Sequence, residues 1–515
     1  MPALAPPLSR WLALAAALTL AAPACRSTAP EASATPAAPK TPEQRAAESR
    51  ARANAARVRI SLNEARTPDP NPGAPPREAV SGQGTELAPE ALAAACGPKA
   101  IPLPRDKHYA APGLAACWVG RADGNLRQLA FAPNGDLFGA AASGVIYRFR
   151  DADHDGAFAP GAPETIVWAA SGGNGNSVHI DAAAGFLYAS TPDGVRRWKW
   201  GPGIDRGGPG EAVIVKQPSG GGHGKHTNHL YDGFLYVQLG SAGNAANPMS
   251  PEYDTERSLV KRFDMTKFDP ANPYHWAQGE VFAVGLRNTV GFTRSAAGRM
   301  YGVVNGLDNL TWRGRDVHND NPGEQLVLLE KGKRYGYPFC TTAQRLVGDD
   351  GAVVPAGTQV EAEIFPSPHD DAWCAANSEQ PVTFFQAHSA PLDLTFFEGP
   401  DGKLPARWKG GAFVAFHGSW DRNPYTGYKV VWLPFDADGR VPMPVSTATE
   451  TRFPYEVVLG GGTWKEHADG PWGWNVDEVG ETTVRPVGVA VSPLDGSLYV
   501  SSDAGNMLYR VVKAG

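Results

Sequence analysis

LRQLAFAPNGDLFGA, residues 126–140, alternates apolar and polar positions, breaks at Asn134-Gly135-Asp136, and resumes as a second short apolar run. That is the pattern of two antiparallel strands joined by a tight turn. The unit recurs as VHIDAAAGFLYAST (178–191), NHLYDGFLYVQLG (228–240), VGFTRSAAGRMYGVV (290–304), LDLTFFEGPDG with GAFVAFHG (392–402 and 411–418) and VGVAVSPLDGSLYVSS (487–502). A lone hairpin cannot bury its apolar face, whereas like units placed side by side can. Six copies, at first spaced by about 50 residues, predict an all-β, six-bladed β-propeller. A β-sandwich, the competing all-β architecture, does not repeat one turn chemistry at a fixed period. The wider intervals at 305–390 and 430–485 read as insertions.

Composition agrees with an all-β reading: 515 residues with 59 Gly and 46 Pro favour turns over long helices. A formal net charge of -6, with scattered basic residues, leaves no electrostatic footprint for nucleic acid. Residues 1–24 read as an export signal: Arg10, an apolar run from Trp11 to Ala22, and small residues before Cys25. The apolar run is too short to span a bilayer. Cys25 stands where a bacterial lipoprotein carries its lipid, which makes a lipid anchor the expected membrane link. The expected location is the periplasm or the outer membrane, with secretion as the alternative. Residues 25–95, rich in Ala, Pro, Ser and Thr, read as a low-complexity tether that cannot bury a core. The propeller is expected over 96–515. In an oxidising compartment the remaining cysteines pair, and proximity favours Cys96 with Cys117 and Cys340 with Cys374.

Candidate chemistry clusters at the blade entrances. GGGHGKHTNH (220–229) carries His223, His226 and His229 before the third unit. One imidazole acting as a base suits this loop better than a metal trio, because every-third spacing entering a strand alternates faces. Asp151-x-Asp153-x-Asp155-Gly156 imitates half of a calcium loop, but Ala162 stands where the closing Glu belongs, so it reads as a polar turn. Arg287 and Asn288 precede the fourth unit, His388 the fifth and Arg485 the sixth, while Arg422 follows the fifth.

Six ordered motifs, GLRNTVGF, VNGLDN, GKRYGYPFC, AHSAPLDLTF, HGSWDRNPYTGYKVV and RPVGVAVSPLDGSLYV, resemble the glucose/sorbosone dehydrogenase family. Its members are soluble six-bladed propellers that use pyrroloquinoline quinone with calcium. The similarity covers roughly residues 110–512. It implies His223 as general base, taking the hydroxyl proton of a sugar as hydride passes to the quinone. It implies Arg287 as both a quinone contact and a catalytic charge stabiliser, with Asn288, Asn305, His388, Arg422 and Arg485 as further cofactor contacts. The backbone carbonyls of Gly306 and Leu307 are expected to hold calcium. The implied substrate is an aldose, a sorbosone-like sugar or a related compound, and an external electron acceptor completes the cycle. These roles agree with general chemistry: calcium takes oxygen ligands, Arg forks match carboxylates, and neutral His is a base near neutral pH.

Two other functions fit a propeller. A calcium-dependent lactonase-type hydrolase needs carboxylates converging on one metal in the channel. A surface-anchored binding propeller needs neither metal nor cofactor. Cations facing one mouth of the channel favour an anionic cofactor over both.

Overall fold

The computed structural model describes residues 87–104, 108–245, 255–364, 369–423, 425–461 and 484–514. The export signal, Cys25 and most of the stretch read as a tether lie outside the described residues. The last part of that stretch does not: Pro89–Cys96 is a helix with Pro in its first turn, and Leu92 and Ala95 pack on the closing blade. A disulfide joins Cys96 to Cys117 on that blade, and a second joins Cys340 to Cys374. Both pairings are those expected from proximity.

Six sheets of at least four strands form the ring. Each of the six hairpins read from the sequence supplies the two innermost strands of one blade. In the first blade these are Leu126–Phe131 and Leu137–Ala141, followed outward by Val145–Phe149 and Thr165–Ala170. In the sixth they are Pro486–Val491 and Leu498–Ser502, followed by Met507–Lys513. The fourth strand of that last blade comes from the other end of the described chain: Leu114–Arg121 pairs antiparallel with Met507–Lys513. The ring is therefore closed by backbone hydrogen bonds between segments far apart in sequence, so the last blade ties the two ends of the described ring together.

The core lies between blades. Leu394, Phe396, Phe413 and Val430 of the fifth blade share one buried cluster with Val489, Val500 and Tyr509 of the sixth. Burying each large apolar side chain contributes about 1.5–3 kcal/mol, so the blade interfaces hold the ring together. Close to the axis the inner strands approach too tightly for most side chains. A Cβ on Gly291 would lie 2.5 Å from Cα of Asp393, and one on Gly488 would lie 2.6 Å from the Arg127 carbonyl oxygen.

The insertion at 305–390 builds two small hairpins, Thr311–Trp312 with Arg315–Asp316 and Cys340–Thr342 with Gln359–Glu361. It also carries a helix, Asp371–Asn377, capped by the Asp370 side chain, which accepts from the Trp373 N–H. The acidic turn after Val145–Phe149 is a loop in which Asp151 accepts from the Asp155 and Gly156 N–H groups. Buried Glu164 lies close to Asp151 and Asp153, two positions beyond the closing place expected at Ala162.

Candidate active site at one mouth of the channel

Neighbouring strands in a blade run antiparallel, so the start of the innermost strand and the end of the second lie on one face of the ring. That face gathers the loop before each inner strand and the loop after each second strand. His223, His226, Arg287, Asn288, Asn305, Gly306, Leu307, His388, Arg422 and Arg485 occupy these loops, whereas His229 lies in the inner strand Asn228–Tyr231 and the acidic turn at Asp151 follows a third strand on the other face. Arg127, Lys225, Asp308, His417, Asp421 and Asp503 occupy the same loops and strand starts, and sequence reasoning missed them. Their signal was position: each lies at a blade entrance or directly beyond a quoted second strand.

His223 lies in the loop before Asn228–Tyr231. Its Nδ1 is 2.7 Å from the Ser241 hydroxyl oxygen, and that hydroxyl donates to the Gly243 carbonyl at 2.7 Å. The single Ser241 proton is thereby used, so Ser241 accepts from Nδ1–H and Nε2 keeps its lone pair. Burial, with the Arg287 and Arg257 guanidiniums, lowers the His223 pKa to about 3. The ring is neutral at physiological pH. The other two histidines of the loop do not converge with it. His226 is buried, with Nε2 donating to the Gly194 carbonyl at 2.8 Å. His229 packs edge-on against Phe292 and His179 in the channel wall.

Arg287 is a buried hub. Its guanidinium donates to Asn244 Oδ1 at 2.8 Å and the Asn244 carbonyl at 2.9 Å, and pairs with Asp308 Oδ2 at 2.7 Å. Asn305 Nδ2 donates to the backbone carbonyls of Pro391 at 2.8 Å and Asn288 at 3.2 Å, which ties the fourth blade to the fifth. Asn288 Oδ1 is buried without a hydrogen-bond partner. Gly306 donates its N–H to Glu324, whose carboxyl burial pushes up to about 7, and Leu307 is buried against Leu310 and Tyr337. Arg422 is buried and pairs with Asp320 at 3.0 Å, so its contact here is with a protein carboxylate.

The mouth has two poles. At one, Arg127 and Arg485 flank Asp503, which also accepts from His417 at 2.9 Å, and Lys225 lies close enough to Arg127 to feel its charge while donating to the Gly175 carbonyl. Burial and the Arg127 charge lower the Lys225 pKa to about 8. Burial opposes the Asp503 charge, but the His417 hydrogen bond and the two guanidiniums hold its carboxyl below the usual range. Three cations against one carboxylate leave this pole short of negative charge. Arg485 Nε and Asp503 Oδ1 are buried without hydrogen-bond partners.

The opposite pole is acidic. Asp308, His388 and Asp421 bring one ligating atom each within 4.8 Å of the others. Burial raises Asp421 to about 6 and lowers His388 to about 4. Gly306 and Leu307 lead directly into Asp308.

The chain is similar in sequence and in fold to known proteins. A pyrroloquinoline quinone-dependent pyranose dehydrogenase of Coprinopsis cinerea is 30% identical over 299 residues, covering 56% of this chain and 38% of that protein. A pyrroloquinoline quinone-dependent sugar dehydrogenase of Hypocrea jecorina is 28% identical over 283 residues, covering 52% and 62%. The matches thus span between about a third and two thirds of these relatives' lengths. Among solved structures, the holo form of the Coprinopsis cinerea pyranose dehydrogenase PQQ domain superposes with a TM-score of 0.65 at 24% identity, over 80% of this chain and 98% of that one. The calcium structure of Trichoderma reesei Carbohydrate-Active Enzymes Family AA12 gives 0.66 at 24%, over 79% and 97%. At this identity the superpositions carry the fold. Residues 109–514, nearly all of the described ring, match the family described as TrAA12-like, and the chain belongs to that family.

Proposed function

We propose that the chain is a pyrroloquinoline quinone-dependent sugar dehydrogenase, an oxidoreductase acting on an aldose, sorbosone-like or related pyranose. One observation carries the reading: His223, fixed in the tautomer with a free Nε2, stands in the same channel mouth as a cationic pole and an acidic pole. An aromatic quinone bearing carboxylates needs that division, with cations at its acid groups and a divalent ion at its carbonyls. The unpartnered Asn288 Oδ1 and Arg485 Nε supply polar atoms that such a ligand can satisfy. Names of the relatives support the same cofactor and substrate class.

In this reading Arg127, Lys225 and Arg485 hold the carboxylates. Arg287, fixed by Asn244 and Asp308, contributes positive charge near His223. The His223 Nε2 takes the proton of the substrate hydroxyl. The bound quinone supplies the hydride acceptor. A separate electron acceptor returns the site to its oxidised state. Purified protein given the quinone and calcium is expected to lose the cofactor's absorbance when sugars are added. Absence of quinone binding overturns the reading.

A lactonase-type hydrolase draws on the convergence of Asp308 and Asp421. It leaves three cations at the opposite pole without a role, and ranks second for that reason.

A further inference from the structure

His223 rides on a glycine-rich loop, residues 218–224, that passes through two left-handed positions, Gly220 at φ 74° and Gly221 at φ 77°. Glycine has the most conformational freedom to lose when a chain is ordered, so such a loop needs outside support to hold a side chain in one place. One side chain gathers its first three carbonyl groups. Arg257 Nη2 lies 3.2 Å from the Pro218 oxygen, 3.0 Å from that of Ser219 and 3.1 Å from that of Gly220. The other arm of the same guanidinium, Nη1, reaches the Gly240 carbonyl at 3.4 Å.

Gly240 immediately precedes Ser241, whose hydroxyl fixes the His223 tautomer. It lies so close to the base that a Cβ there would stand 2.7 Å from His223 Cβ. One guanidinium, 5% exposed, therefore spans the loop that carries the imidazole and the strand end that carries its partner. Its charge is also a cause, after burial and Arg287, of the lowered His223 pKa. Arg257 stands just before the third strand of this blade, Leu259–Asp264. Its neighbour Ser258 accepts the Leu286 N–H at 2.9 Å, one residue before Arg287, and the Arg287 carbonyl accepts the Ser241 N–H at 2.8 Å. The backbone around Arg257 thus links the segments bearing His223, Ser241 and Arg287.

We propose that Arg257 is a positioning residue for His223: its guanidinium clasps the glycine-rich loop against Gly240 and so keeps the imidazole Nδ1 on the Ser241 hydroxyl. The inference rests on the proposed function for the role of His223 as base, whereas the clasp itself does not. All four partners are carbonyl oxygens, so the planar fork of N–H donors matters here beyond the charge. A lysine carries the charge on a single nitrogen and cannot extend two arms to opposite sides.

The test uses the full chain with Arg257→Lys and Arg257→Ala. In quinone-free protein, nitrogen-15 NMR of labelled histidine reads the His223 tautomer, the resonance being identified by its loss in His223→Gln. Wild type is expected to hold the single Nδ1–H form, and both Arg257 variants to average the two tautomers. With quinone and calcium added, Arg257→Lys should lower kcat on the order of 10–100-fold, the scale of a misplaced catalytic group, with KM and quinone affinity near wild type. Guanidinium ion added to Arg257→Ala should recover part of the lost turnover. Arg262→Lys, on the following strand and paired with Glu280, should change neither tautomer nor kcat. An unchanged tautomer and kcat in folded Arg257→Lys overturns the proposal. So does failure of both variants to fold, or a kcat loss that tracks melting temperature and quinone affinity and ignores guanidinium, since each marks a structural arginine. Tautomers that average in the variants, in a protein whose wild type oxidises no sugar, end the dehydrogenase reading and leave the clasp standing.

Discussion

The direction of one hydroxyl proton sets the character of His223. Because Ser241 donates to the Gly243 carbonyl, its oxygen is left to accept from Nδ1–H, and Nε2 keeps the lone pair that the proposed reaction uses. Replacing His223 by Ala should lower turnover by about 100-fold or more while quinone affinity stays near wild type. Ser241→Ala should lower turnover by a smaller factor, since the ring loses its anchor but keeps its nitrogen. Single-turnover rates and quinone titrations on the same preparations check both. The depressed His223 pKa also has a sign: in the proposed reaction the neutral ring is the base, so activity should be lost as pH falls through that pKa. Burial is the larger cause and Arg287 the next, so Arg287→Gln should move the acid limb of kcat/KM to higher pH. An unmoved limb would show that Arg287 does not act on the base. At this scale the sequence was only partly legible. His223, Arg287 and Arg485 could be found because they precede recognisable strands. The anchoring role of Ser241 depends on a contact across 18 residues that no local pattern announces.

The inner hairpins were the readable elements, because one face of each packs in the ring and the turn between them is short. The outer strands were not readable: Leu114–Arg121 is LAACWVGR, almost uniformly buried, and shows neither alternation nor a turn of its own. The loops entering the inner strands carry the cationic pole, so Lys225→Gln should weaken quinone binding while leaving thermal stability close to wild type. An equal loss of stability and affinity would make Lys225 structural. Gly488→Ala belongs to the same scale. The added methyl group would meet the Arg127 carbonyl oxygen at 2.6 Å, so the inner strands of the sixth and first blades must separate. A lower melting temperature together with weaker quinone binding is expected, because Arg127 moves with that contact. The Cys340–Cys374 bridge closes a segment of 34 residues, and its removal should cost about 3–4 kcal/mol in the chain-entropy account. Denaturant unfolding of a Cys340→Ser, Cys374→Ser double variant measures it.

For the molecule as a whole, buried titrating groups set a pH window of stability. Burial lowers the pKa values of His179, His226, His229 and His417, so the unfolded chain takes up more protons than the folded one below about pH 6.5. Stability contributed by these groups falls as pH drops through that range. Asp393 behaves in the opposite sense: burial raises its pKa to about 8, so the fold loses stability as pH rises from the ordinary carboxylate range through that value. His223 and His388 join the four histidines, and Glu324 and Asp421 join Asp393, so six imidazoles stand against three carboxyls on the acid side. A broad maximum near neutral pH is therefore expected in melting temperature, and a maximum below pH 5 would contradict it. A chain begun near residue 85 should keep fold and activity, because it retains the helix Pro89–Cys96 and its bridge to Cys117. One begun after Arg121 should not fold, since it lacks the outer strand of the sixth blade.

The hydrogen-bonded seam between Leu114–Arg121 and Met507–Lys513 makes the choice of starting residue arbitrary. Ala514 already donates its N–H to the Gly113 carbonyl at 3.0 Å, so a few added residues can join these two points. New termini can then be opened at exposed Gly208, in the turn between Gly194–Lys199 and Glu211–Val215 on the face opposite the candidate site. In that circular permutant the sixth blade is built from one continuous run, and the second blade inherits the split. Because this joint leaves out the helix Pro89–Cys96 and its bridge to Cys117, a folded, sugar-oxidising permutant that melts below the native protein is the expected result, with the closing step of folding transferred from the sixth blade to the second.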